Sequence, residues 1–197
     1  IKSAARLTYE QVQYAADGRP DPDVAPLMDA VVTPLYACYR ALAAARYRRQ
    51  PLDLDLPELQ VFMNDKGEVD RISPRSRLDS HRLIEDMMIA ANVCAAETLE
   101  KLKQPCMYRI HDTPPRERLR ALRDYVSTLG LSFSAGEAPR PILFNRLLDK
   151  AKHTPHAEAV ATMVLRSQSQ AVYSPDNVGH FGLELGHYAH FTSPIRR

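Results

Sequence analysis

The run Tyr188-Ala189-His190-Phe191-Thr192-Ser193-Pro194-Ile195-Arg196-Arg197 gathers more potential chemistry than any other part of this chain. Ser193 before Pro194 reads as a helix N-cap with proline at the first helical position. Arg196 and Arg197 would then occupy the first turn, where positive side chains oppose the helix dipole. That placement makes sense if the pair and the free N–H groups of the helix jointly bind an anion such as phosphate. The alternative is a solvated pair of arginines at a frayed end. Just upstream, Gly179-His180-Phe181-Gly182-Leu183 sets two glycines around an aromatic ring, a pattern that permits close backbone packing.

Seven histidines raise the question of metal. His153 and His156 lie three apart, as do His187 and His190, yet no Cys or third His joins either pair at a zinc spacing. Exposed or core histidines are therefore expected, and no metal ligand is assigned. The acid pairs Asp53/Asp55 and Glu85/Asp86 do not by themselves make a two-metal site. There is no Gly-rich phosphate loop and no Gly-x-Ser-x-Gly nucleophile turn. Three widely spaced cysteines, Cys38, Cys94 and Cys106, read as reduced core thiols in a cytosolic protein.

A third group lies on a long helical stretch. Between Met87 and Ala96 only Asn92 is polar, so this helix is expected to be buried on most sides. At about 100° per residue, His81, Glu85 and Asn92 fall within roughly 40° of one another. Two readings stay open: a capping and surface role for the first two with Asn92 hydrogen-bonded in the core, or a polar stripe facing a ligand channel.

The elements that must position these residues are mostly helical. Leu7, Val12 and Tyr14 suggest a short first helix, ended by Gly18-Arg19-Pro20-Asp21-Pro22. A helical pattern follows from Val24 to about Tyr47, kinked or split at Pro34. Leu52–Leu56 alternates with period two, leaving Asp53 and Asp55 on a solvated side. Residues 60–63 and 68–72 read as a β-hairpin around a Gly67 turn. A long helix capped by Asp79 or Ser80 runs to about Lys103, then an extended piece at 106–110. Three more helices are expected: a basic one through Leu129 stopped by Gly130, then two near 141–152 and 155–170. The last 27 residues, from Ala171, read as loop. The fold class is thus α+β, predominantly helical, with a small hairpin and one further strand.

Composition bounds the reading. The chain has 197 residues with 45% hydrophobic and 25% charged, enough for a core and not a disordered chain. A formal net charge of +2 excludes a globally cationic nucleic-acid protein, so any anion recognition must be local. No apolar run approaches the roughly 20 residues of a membrane span, and no signal peptide opens the chain. A cytoplasmic protein is expected, with no membrane partner. The start without Met and the stop just after Ser193-Pro194 suggest an internal segment truncated at both ends.

Several of these runs together resemble the ribonuclease II / ribonuclease R family of exoribonucleases, nearer the ribonuclease R type. They are Gly179–Leu183 and Tyr188–Arg197, with Ala5–Tyr9, Leu83–Asn92 and Tyr108–Asp112 upstream in the family's order and spacing. The resemblance covers essentially residues 1–197, as part of an RNB-type catalytic domain. It implies a processive 3′→5′ hydrolase of single-stranded RNA that releases nucleoside 5′-monophosphates with divalent metal, Mg²⁺. It places Arg196 at the scissile phosphate as the catalytic arginine. Arg197, Tyr188, His190, Thr192 and Ser193 come in as RNA-contacting neighbours, and Glu85 and Asn92 as residues along the RNA channel.

The resemblance also implies what is missing. The family's metal-holding aspartates lie upstream of this segment, and the glutamate and helix expected after Arg197 are not in it. Leu54 stands where the family has an aromatic clamp. The segment alone is therefore expected to be inactive and to need the remainder of its polypeptide, including further sheet strands and flanking RNA-binding domains. The rival reading is a non-catalytic helical RNA-binding or adaptor module on the same scaffold.

Overall fold

The computed structural model describes residues 2–54, 56, 59–74, 77–134, 136 and 138–193. The chain divides into two units, residues 1–46 with 57–90, and residues 47–56 with 91–197.

In the first unit, helix α1 spans Tyr9–Ala16. It begins at a capping box: the Gln11 N–H donates to the Thr8 hydroxyl at 3.2 Å, and the Thr8 N–H to the Gln11 side chain at 2.8 Å. A tight turn at Ala25–Leu27 and a wide π-turn at Met28–Val32 lead into α2, Thr33–Arg49. The split expected at Pro34 is thus located. Pro34 sits in the first turn of α2, where its missing N–H leaves no gap, and the wide turn absorbs the change just before it. Helix α3, Asp79–Lys101, starts in this unit. Val24, Val32, Tyr36, Tyr39, Ala15 and Leu83 form the core. Within it, Tyr36 and Tyr39 meet edge to face at 6.2 Å.

Strands β1 (Leu59–Met63) and β2 (Val69–Pro74) form the expected hairpin, antiparallel, with an irregularity at Phe62/Met63. The Asn64 side-chain oxygen accepts the Lys66 and Glu68 N–H groups, and Gly67 takes the positive φ of +77° that closes the turn. Arg71 lies over the Phe62 ring at 4.3 Å.

The second unit is built on three helices, α4 (Arg116–Thr128), α5 (Pro141–Ala151) and α6 (Ala157–Ser167). Leu119, Leu122 and Val126 recur along one side of α4 and meet Phe144, Leu147, Val160 and Val164. Leu52 and Leu54 pack on this cluster while Asp53 stays exposed, as the alternation predicts. Asp55 lies outside the described residues. Leu54 is therefore a core-edge side chain. Gly130 ends α4 with φ +72°.

The α+β class holds, with helices dominant and two small antiparallel sheets. The further strand is β3, Tyr108–Ile110, and it pairs with β4, Val172–Ser174, inside the stretch read from sequence as loop. Two expectations fail. Residues 87–96 are not covered on most sides: Met88 is 43% exposed, and Ala91 and Cys94 are exposed as well. Apolar spacing reports which side chains tolerate burial, not which neighbour covers them. Nor are the cysteines core thiols, since Cys38 and Cys94 are exposed and Cys106 is half-buried. Among the described residues no helix is long and apolar enough to cross a membrane.

Phe144 is fully buried against Phe133 at 5.1 Å and Phe181 at 6.0 Å between ring centres. Phe144→Ala is expected to cost about 3–5 kcal/mol in urea unfolding of this unit.

Candidate functional site

The segment from Tyr173 to Ser193 is laid against β3 and the second half of α3. Its attachment starts at β3. The Arg109 N–H donates to the Tyr188 carbonyl at 2.8 Å, the His111 N–H to Gly179 at 3.0 Å, and the Phe181 N–H back to His111 at 2.7 Å. The closest approach is at Gly182, whose N–H donates to the His111 Nδ1 at 2.9 Å. A Cβ on Gly182 would sit 2.9 Å from that same nitrogen, so only glycine fits. The two glycines read from sequence as packing residues are that in fact: Gly179 has φ +81° with the Leu185 carbonyl 3.0 Å from where a Cβ would stand.

The side chains above this backbone form a ladder of rings, each edge-on to the next. His111 meets His180 at 5.0 Å, His180 meets Tyr188 at 5.3 Å, and Tyr188 meets His190 at 5.5 Å. His190 meets Tyr173 at 5.6 Å, and the Tyr173 hydroxyl lies 2.6 Å from the His190 Nδ1. Arg109 closes the ladder with its guanidinium 4.6 Å from the Tyr173 ring centre. Arg109 and Tyr173 are direct partners in the β3–β4 register, so this contact follows from strand pairing.

Burial sets the charge state of the ladder. It pushes His180 down to about 4, helped by His111, Arg109 and His190. Burial also lowers His111, against the pull of the Ser169 backbone and Asp112. Both imidazoles are neutral at neutral pH. They hold geometry by hydrogen bonding and ring contact, and they do not neutralise an anion. Arg109 brings a fixed positive charge to the Tyr173 end of the ladder.

Two points on α3 anchor the same segment. Asn92, 3% exposed, accepts the Thr192 N–H at 2.8 Å. Two turns further on, Glu100 takes His187 at 2.6 Å and the Tyr108 hydroxyl at 3.2 Å. Eight residues apart, these two groups share one helix face about 12 Å along the axis. Asn177 ties the loop from within, donating to the Gly186 carbonyl at 2.9 Å and accepting the Gly179 N–H at 2.9 Å.

The sequence-derived candidates separate accordingly. Tyr188, His190, Thr192, Ser193 and Asn92 come together in the second unit, with Tyr188 buried and His190, Thr192 and Ser193 half-buried. Glu85 belongs to the first unit, where it is exposed and ion-paired with Arg77. His81 stacks on Tyr9 at 4.2 Å and accepts the Leu78 N–H at 3.2 Å, a role at the helix start. Asp86, the acid next to Glu85, faces Arg46 at 3.4 Å with only 5% of its side chain exposed. Arg196 and Arg197, with Pro194 and Ile195, lie outside the described residues. Arg109, His111, Tyr173 and Glu100 are site residues that spacing alone did not single out. Arg109 and Tyr173 meet through pairing of strands over sixty residues apart, and His111 and Glu100 through contacts to the 180–188 loop, neither visible to a local pattern.

Among the described residues no three His, Cys, Asp or Glu side chains gather where they could hold a metal ion. The described residues therefore do not form a Mg²⁺ site.

The family model for the RNB domain matches residues 1–197. The chain belongs to the RNB family. It is 40% identical over its whole length to ribonuclease R of Vibrio cholerae and 41% to ribonuclease R of Escherichia coli, covering 24% of each. The RNB chain thus spans about a quarter of the length of these relatives. A solved RNase R of Mycoplasma genitalium, in complex with ribose-methylated single-stranded RNA, superposes with a TM-score of 0.83. The sequence identity is 25%, covering 98% of this RNB chain and 30% of that one.

Two outcomes follow. Gly182→Ala forces the loop off His111 and is expected to cost about 1–3 kcal/mol in thermal unfolding. His180 and His111 titrate near 6.5 when unfolded and lower when folded, so the folded state binds fewer protons between. Their contribution is complete above about pH 6.5 and declines as pH falls toward about 4. Melting temperatures across that range should fall on acidification, and less steeply in His180→Gln.

Proposed function

We propose that this chain is part of the RNB catalytic domain of a processive 3′→5′ exoribonuclease acting in the cytoplasm. The enzyme would hydrolyse single-stranded RNA to nucleoside 5′-monophosphates with Mg²⁺ held by residues beyond this segment. The observation that carries the reading is the match of all 197 residues to the RNB domain, at about 40% identity to ribonuclease R.

In this reading Arg196 presents its guanidinium to the scissile phosphate, where a fixed fork of donors meets charge building on the phosphate oxygens. Arg197, Tyr188, His190, Thr192 and Ser193 surround the RNA 3′ end, Glu85 borders the strand further along, and the buried Asn92 acts on the RNA through the Thr192 backbone that it fixes. The ladder and the two α3 anchors support such an assignment. They hold the backbone rigidly as far as Thr192, four residues before Arg196. Pre-set geometry is what lets a donor favour the transition state over the bound substrate. Since neutral imidazoles supply no fixed charge, the anion-facing work falls to the arginines.

The test uses the full-length protein and a uniformly labelled oligoribonucleotide with Mg²⁺. Mononucleotides released from the 3′ end are expected, and binding without release would favour the non-catalytic adaptor reading. Arg196→Ala should lower the chemical step by about 10²–10³-fold while changing RNA affinity far less. Equal losses in both would make Arg196 a binding residue only. The 197-residue segment alone should degrade no poly(A); activity surviving repurification and metal-free controls would refute that part.

A further inference from the structure

One helix carries a charge excess that the site described above does not use. α4 holds four arginines against two acids, an imbalance equal to the net charge of the whole chain. Arg118 is committed to the Gln168 carbonyl. The other three, Arg116, Arg120 and Arg123, line a cavity of about 310 Å³ with Leu119, Phe133 and Ser134. No acid lines it.

Arg123 pairs with its neighbour Asp124 at 2.8 Å, but both side chains are mostly exposed, and such a pair contributes little. Arg116 and Arg120 have no hydrogen-bond or ion partner among the described residues. Three guanidiniums around one cavity repel one another, and a bound anion relieves that repulsion. Leu119 and Phe133, both buried, give the cavity an apolar floor, and a low-dielectric wall strengthens any charge pairing beside it. Ser134 adds a hydroxyl.

The spacing indicates what kind of anion fits. Positions 116, 120 and 123 rise about 6 Å and then about 4.5 Å along the helix axis. A row of forked donors about 10 Å long exceeds what one phosphate needs and suits successive phosphates of an extended strand. We propose that the Arg116–Arg120–Arg123 pocket binds phosphodiester groups of an RNA strand, at residues distinct from the Tyr173–Ser193 site. That RNA is the source of the phosphates rests on the exoribonuclease reading; that the pocket takes phosphate oxygens does not.

The test again uses the full-length protein. In R116Q/R120Q, affinity for an oligoadenylate is expected to fall several-fold. The slope of log K against log salt should become shallower by about 1.4, two phosphate contacts at about 0.7 each for a single strand. K150Q/K152Q removes the same charge from the end of α5 and should leave the slope unchanged. An unchanged slope in R116Q/R120Q, or an equal change in both variants, overturns the proposal. A second arm needs no substitution: phenylglyoxal modification of arginines, read peptide by peptide by mass spectrometry. Oligoadenylate should protect Arg116 and Arg120 better than inorganic phosphate or AMP does. Equal protection by the small anions overturns the RNA assignment, and no protection by any of them overturns the pocket. If the protein neither binds nor degrades RNA yet phosphate protects these arginines, the exoribonuclease reading fails with its RNA source while the anion pocket is upheld.

Discussion

The N–H of Gly182 donated to the Nδ1 of His111 is the contact on which the segment from Tyr173 to Ser193 depends. It needs a residue without a side chain, because a Cβ would stand 2.9 Å from the imidazole. It also needs a neutral imidazole, since Nδ1 accepts only when it carries no proton. Burial meets that second need by lowering the His111 pKa, so the packing that creates the contact also keeps the acceptor in the right form. From this point the ring ladder runs through His180, Tyr188 and His190 to Tyr173.

Two kinds of force hold the segment. Backbone hydrogen bonds to β3 set its height, and side-chain anchors on α3 set its position along the helix. Each net hydrogen bond contributes only about 1 kcal/mol, so several are needed to overcome the entropy of ordering some twenty residues. The buried Asn92 is informative in this respect. Its side chain satisfies the Thr192 backbone N–H inside an otherwise apolar stretch, which makes register, and not mere attachment, the property it confers.

The helices were legible because their apolar side chains repeat at helical spacing and their ends carry recognisable stops. Leu119, Leu122 and Val126 give α4 its core stripe, and Gly130 ends it with a positive φ. The hairpin was legible through Asn64 and Gly67, whose turn chemistry is local. Strand β4 was not, because three residues, Val172-Tyr173-Ser174, carry no alternation to detect, and their partner lies over sixty residues away. The polar stripe of α3 was ambiguous for a related reason. Spacing put Glu85 and Asn92 on one side, but burial made them different: one is an exposed ion pair with Arg77, the other a buried acceptor.

By itself the sequence determined the fold class, most helix boundaries, and the RNB family through runs such as Gly179–Leu183 and Tyr188–Arg197. These are properties of neighbouring residues, recorded in periodicity, turn chemistry and specific order. Only the tertiary structure decided that Arg109 lies on Tyr173, that His111 and His180 are neutral, and that three arginines of α4 share a cavity. Each of these depends on which surfaces distant segments cover. Burial and pairing are outcomes of packing, and no local pattern carries them.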